Sequence, residues 1–294
     1  MKKLSILILL LFLLIISGCG NSNDSYQIIA TTLPVYDFTV AICDGTPLTV
    51  GRLITENVSC LHDYTLQVGQ MRMIEDADII VTSGAGLEEF LDDVLNNADI
   101  CIDSSVNTHL HDTDHSQHEI HNEEHGHHHE NDPHIWLSPE NAVIMTMNIC
   151  EGLSQTYPEY SQIFRQNQTN LAKQLNDLQA YGDSQLSSLA CNKLITFHDG
   201  FAYFAESFDL VILEAVEEEA GSEASAAEII HLIELVDSHA LPAVFTEKSG
   251  SDACAGIITA ETGAAVYTLD MAMAGDSYFD AMYHNIDTIK EALS

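Results

Sequence analysis

From Glu159 to about Leu189 the chain contains no proline and, until Gly182, no glycine. Tyr160, Ile163, Phe164, Leu171, Leu175, Leu178 and Tyr181 recur there at helical spacing. About thirty residues at ~1.5 Å each make a rod of roughly 45 Å, the length of a whole domain. The heptad is poorly kept, which argues against a coiled-coil dimer. A rigid strut between two halves is therefore expected, and the protein is expected to be a monomer.

Both flanks of this rod alternate between short apolar runs and helical patterns. Before it, strands are predicted at 26–32, 48–55, 78–83 and 99–103, with helices from Pro34 to Cys43 and over 65–77 and 87–98. Ser138-Pro139-Glu140 is a helix start, with proline at the first helical position. After the rod, a strand before His198 is followed by strands at 210–216, 243–248 and 265–270. Helices are predicted at 225–239, through Ile258, and at 278–293. Such alternation makes parallel sheets. The fold class is α/β: two parallel-sheet lobes joined by a long rigid helix. The boundaries are an N-terminal lobe at 26–137, linking helices at 138–190 and a C-terminal lobe at 191–294.

Lys2 and Lys3 precede an apolar block at 4–16 and then Ser17-Gly18-Cys19. A charged start, a largely apolar stretch of thirteen residues and small residues at the end read as a signal peptide over 1–18. Thirteen residues rise only about 20 Å as a helix, short of the ~30 Å hydrocarbon core. The Ile-Ser-Gly-Cys run resembles the bacterial lipobox, which implies a lipid anchor on Cys19, with 19–25 as a polar tether. The expected location is extracytoplasmic, on the outer face of the cell membrane. Loss of two lysines takes the net charge from −36 to −38. A chain with so little basic surface is no nucleic-acid binder, but it does attract cations. Cys43, Cys60, Cys101, Cys150, Cys191 and Cys254 are scattered without a CxxC pair and allow no pairing assignment.

The run from His109 to Trp136 interrupts the alternation. His109, His111, His115, His118, His121, His125, His127, His128 and His129 lie among acids and amides, with no apolar periodicity before Ile135. The stretch 109–130 is expected to be a loop that packs on neither lobe and binds zinc weakly through several imidazoles. Binding needs the neutral ring, so it should weaken on mild acidification.

Ligands of open parallel sheets sit outside the carboxyl ends of strands. His62 follows the strand at 48–55, His198 follows the strand Leu-Ile-Thr-Phe, and Asp270 ends the strand at 265–270. His134 lies before the first linking helix, where Pro133 fixes the approach and Ile135 and Trp136 anchor it. Two come from each side of the rod, so a metal site is expected in the cleft between lobes. Three imidazoles and a carboxylate suit tetrahedral zinc. His231, His239 and His284 lie on helices away from strand ends and read as ordinary polar residues. Glu217, Glu218 and Glu219 read as a solvated run.

The segments SCLHDY, ADIIVTSGAGLEEF, DPHIWLSPENA, TFHDGFAYFAESF and GDSYFDAMYHN, in this order, resemble the zinc- and manganese-binding lipoproteins of bacterial ABC importers. The resemblance runs from about Tyr26 to the C-terminus. It implies two α/β lobes joined by one long helix, one metal between them, and delivery of that metal to a membrane permease. It places the family's ligands on His62, His134, His198 and Asp270, and many zinc-binding members carry a His-rich loop before the DPHIW segment. Manganese-type relatives often have Glu where this chain keeps His198, so the resemblance favours zinc, with a manganese receptor as the alternative. Leu61 stands where proline is usual, and the spacing after Asp270 is compressed. The fourth ligand is thus open among Asp270, Glu247, Asp276 and water.

Two other classes of function fit the sequence less well. A zinc hydrolase would need three ligands, an open water position and a base, but no HExxH or GxSxG motif is present. A surface adhesin or passive metal buffer would need little beyond the His-rich loop. The expectation is a receptor, not an enzyme.

Overall fold

The computed structural model describes residues 26–56, 58, 61, 64–95, 100–111, 131–216, 224–248 and 253–294. In the N-terminal lobe, β1 (Ile28–Ala30), α1 (Leu33–Cys43), β2 (Val50–Arg52), α2 (Val68–Asp76) and β3 (Ile79–Thr82) follow in turn. A 3-10 turn at Glu89–Leu91 then runs into α3 (Asp92–Leu95), and β4 (Cys101–Asp103) closes the lobe's sheet. All pairings are parallel, in the order β2-β1-β3-β4. Ile28, Ile29 and Ala30 are fully buried, as expected of a central strand covered on both faces.

Two helices link the lobes. α4 (Pro139–Thr156) starts on Ser138, whose side chain accepts the Asn141 N–H, and α5 (Ser161–Leu186) follows a 3-10 turn at Pro158–Tyr160. The 26 residues of α5 span about 39 Å, shorter than expected because the chain turns at Pro158 and leaves the helix after Leu186. Phe164, Leu171, Leu175, Leu178, Gly182 and Leu186 form its buried stripe. Gly182 is required there: a Cβ would lie 2.1 Å from the Phe208 ring. The rod does not stand alone, because α4 and α1 pack along it from the first lobe.

The C-terminal lobe repeats the first topology. β5 (Lys193–Thr196), α6 (Ala202–Ser207), β6 (Val211–Ala215), α7 (Ala226–His239), β7 (Ala243–Glu247), α8 (Ala253–Thr262) and β8 (Ala265–Leu269) form a parallel sheet ordered β6-β5-β7-β8. α9 (Tyr278–Leu293) ends the chain and packs back on α5. Leu232, Val236, Val244 and Ile258 form a local core under α7 and α8, while α9 joins the larger core that runs through the linking helices.

In each sheet the connections leave the first strand in opposite directions. The crevices at which the strand order reverses therefore open beyond the carboxyl ends of β1 and β3 in one lobe, and of β5 and β7 in the other. In the first lobe Thr32 and Ser83 close that crevice with a hydroxyl–hydroxyl bond of 2.8 Å. Beside them Glu88 accepts from the Thr31 hydroxyl (2.6 Å), Ser83 N–H (2.7 Å) and Gly84 N–H (3.0 Å). The second crevice holds His198 and Glu247.

Candidate metal centre

His198 stands just beyond β5, where the pairing with β6 shifts between Leu194 and Ile195. Glu247 is the last residue of the neighbouring strand β7. Both side chains are buried, and His198 Nδ1 lies 3.6 Å from Glu247 Oε2. The other ring nitrogen, Nε2, points away from the sheet and meets His134 Nε2 at 3.3 Å, with the two rings nearly perpendicular.

His134 reaches this point from the other side of the linking helices. Asp132 fixes it twice, accepting its backbone N–H at 2.9 Å and bonding Nδ1 at 2.7 Å, both through Oδ1. The Trp136 ring packs edge-on against His134, and the indole N–H donates to the Met271 carbonyl at 2.8 Å. Tyr278 Oη then donates to the Trp136 carbonyl at 2.8 Å. These bonds stitch the segment before α4 to the C-terminal lobe. Each imidazole therefore has a carboxylate on its Nδ1 side and presents Nε2 to one shared point. That is how metal-binding histidines are oriented: the outer partner fixes the tautomer and leaves the inner lone pair for the ion.

The sign of the Asp132 charge follows from its neighbours. Burial raises its carboxyl, but attraction to His134, that residue's ring and backbone hydrogen bonds, and attraction to His111 outweigh it, leaving the group below the ordinary carboxylate value. Asp132 thus remains an acceptor. Gly200 supplies the space behind His198: a Cβ there would lie 2.6 Å from Met271 Cε and 2.7 Å from His198 Cδ2.

Asp270 lines the same cavity as Glu247, Met271 and, from the N-terminal lobe, Val58. Its Oδ1 accepts the Ala272 N–H at 2.8 Å and its Oδ2 lies 3.2 Å from Lys248 Nζ. Two bonds with Asn285 hold its backbone. Asp276 is exposed. Of the expected ligands, then, His134 and His198 meet directly, Asp270 lines a cavity beside Glu247 with its oxygens already engaged, and His62 lies outside the described residues. So do Cys19, Cys60, Glu217, Glu218, Glu219 and the histidines at 115, 118, 121, 125, 127, 128 and 129. Cys43, Cys101, Cys150 and Cys191 carry free thiols.

One expectation is corrected. The start of the His-rich run does pack on the C-terminal lobe. His111 stacks on Tyr203 with ring centres 4.3 Å apart, and its N–H donates to Tyr203 Oη at 3.0 Å. The same hydroxyl donates to the Asp132 carbonyl at 2.8 Å, and Asp132 N–H donates to the His111 carbonyl at 3.1 Å. Aromatic stacking and backbone bonds hold residues that have no apolar pattern of their own. His231, His239 and His284 stay at the surface, near Glu214, Lys193 and the Thr268 carbonyl.

Comparison with known proteins gives the family and the fold. The family model for the periplasmic zinc-uptake complex component A, ZnuA, matches residues 28–292. A protein of Treponema pallidum (strain Nichols) named for metal binding is 30% identical over 244 residues, covering 79% of this chain and 77% of its own length. The zinc-binding lipoprotein AdcA of Streptococcus pneumoniae (strain R6) is 28% identical over 99% of this chain, which spans 61% of AdcA. A crystal structure of ZnuA, 27% identical, superposes with a TM-score of 0.79, covering 92% of this chain and all of that one.

Proposed function

The chain belongs to the periplasmic zinc-uptake component A family, and we propose that it is an extracytoplasmic receptor that captures Zn(II) and hands it to an ABC permease. The observation that carries this reading is the facing pair His134 Nε2 and His198 Nε2, 3.3 Å apart, each backed by a carboxylate. Neutral imidazoles on buried residues select a borderline ion over a hard one. His62 is the third nitrogen and Asp270 the fourth donor in this proposal, and Glu247 orients His198. The ion is cargo.

The chain works as a monomer tethered through lipid on Cys19, and the His-rich run gathers zinc near the cleft with weaker, exchanging contacts. The testing experiment is metal analysis by mass spectrometry of protein purified without added metal, run beside the His198→Ala variant. Zinc in the parent and its depletion in the variant are expected. Manganese as the dominant metal, or equal zinc in both, would overturn the proposal.

A further inference from the structure

His109, His111 and Glu206 lie outside the cleft, yet each offers a donor atom and the three atoms fall within 4.8 Å of one another. The two histidines belong to the segment that leaves β4 of the first lobe, and Glu206 belongs to α6 of the second. Their backbones are fixed from several sides. His109 N–H donates to Asn141 Oδ1 at 2.8 Å, and Asn141 Nδ2 donates to the His109 carbonyl at 2.9 Å. Asn141 itself is buried on α4. His111 is held by Tyr203 as described, and Glu206, one turn further along α6, pairs with His111 Nε2. The rings of His109 and His111 stand 6.0 Å apart and nearly perpendicular. Their donor atoms are already close enough together to share one ion.

Two imidazoles and a carboxylate on one side, with water on the other, make a donor set for a borderline divalent cation. We propose that His109, His111 and Glu206 form a second Zn(II) site that clips the stem of the His-rich run to α6. Its donors are placed before the ion arrives. The choice of zinc as the ion rests on the receptor reading above; the donor set does not. An ion here also braces the cleft, because His111, Tyr203 and Asp132 form an unbroken chain of bonds that ends on His134.

The test uses the chain from Gly20 to Ser294 with the seven histidines between 115 and 129 replaced by Asn. Zn(II) is titrated against a chromophoric chelator. Two equivalents are expected, with one lost in either Glu206→Ala or His109→Ala. Glu206 is well exposed, so its substitution leaves the fold intact; circular dichroism checks this, and the isosteric Glu206→Gln is expected to give the same loss. A parent that binds one equivalent, or a second equivalent that survives both substitutions, overturns the stem site. The His134→Ala/His198→Ala protein separates the two readings: it should keep the stem equivalent and lose the cleft one. Retention of both there would sink the cleft assignment while leaving the stem site standing.

Discussion

His134 Nε2 and His198 Nε2 lie 3.3 Å apart across the junction of the two lobes. Both face one point, with carboxylates on their Nδ1 sides. As proposed ligands they would supply two of four donors. His134→Ala and His198→Ala should each lower Zn(II) affinity by more than about 100-fold, since even outer partners of such histidines are worth roughly 10–100-fold. Chelator competition on protein whose loop histidines are replaced gives the measurement. Affinity within a few-fold of the parent would remove that residue from the shell.

In the proposed shell Asp132 would act on the ion only through His134. Its Oδ1 takes both the backbone N–H and Nδ1 of that residue, so Asp132→Ala frees the ring to rotate and to adopt the wrong tautomer. A loss of roughly 10–100-fold in affinity is expected, smaller than that of His134→Ala. Combining the two substitutions should cost no more than His134→Ala alone. Additive losses would mean that Asp132 contacts the ion itself.

The lobes and the rod were legible because continuous apolar strands and a helical stripe such as Leu171, Leu175 and Leu178 have no other use than burial. His198 could be placed because strand ends are where parallel sheets bind ligands. Asp132 was missed, although its place two residues before His134 was a usable sign. Tyr203 and Glu206 were not legible at all, since their roles depend on the lobes meeting. The expected helix at 87–98 is shorter among the described residues: Glu88 is pulled inward by three donors, which leaves a 3-10 turn before α3.

Gly200 tests the shape of the site. Its Cβ would press on both Met271 and the His198 ring, with one neighbour a flexible methionine end and the other the proposed ligand. Gly200→Ala should therefore fold, with a stability cost of about 1–3 kcal/mol from overpacking. Its zinc affinity should fall, because His198 must move. A variant with lower melting temperature and unchanged affinity would show that Met271 alone yields.

Glu88 predicts a pH dependence that belongs to the first lobe and not to the metal. Burial pushes its carboxyl up to about 7, opposed by bonds from Thr31, Ser83 and Gly84 and assisted by the charge of Asp103. A carboxyl that binds its proton more tightly when folded contributes stability that is complete below its unfolded value, near 4.5, and is lost as pH rises through about 7. Over that window the loss amounts to about 3 kcal/mol. Glu88→Gln keeps an oxygen for the Thr31 and Ser83 donors but sets an amide against Gly84 N–H, a loss of about 1 kcal/mol at low pH. The variant cannot ionise, so it should be less stable than the parent at pH 4.5 and below, nearly equal at pH 5 and about 2 kcal/mol more stable at pH 8. Repulsion from the chain's large negative charge is nearly common to both proteins and drops out of the difference. Metal-free melting curves from pH 4.5 to 8 give the comparison, and parallel curves would mean that the three donors keep Glu88 charged in spite of its burial.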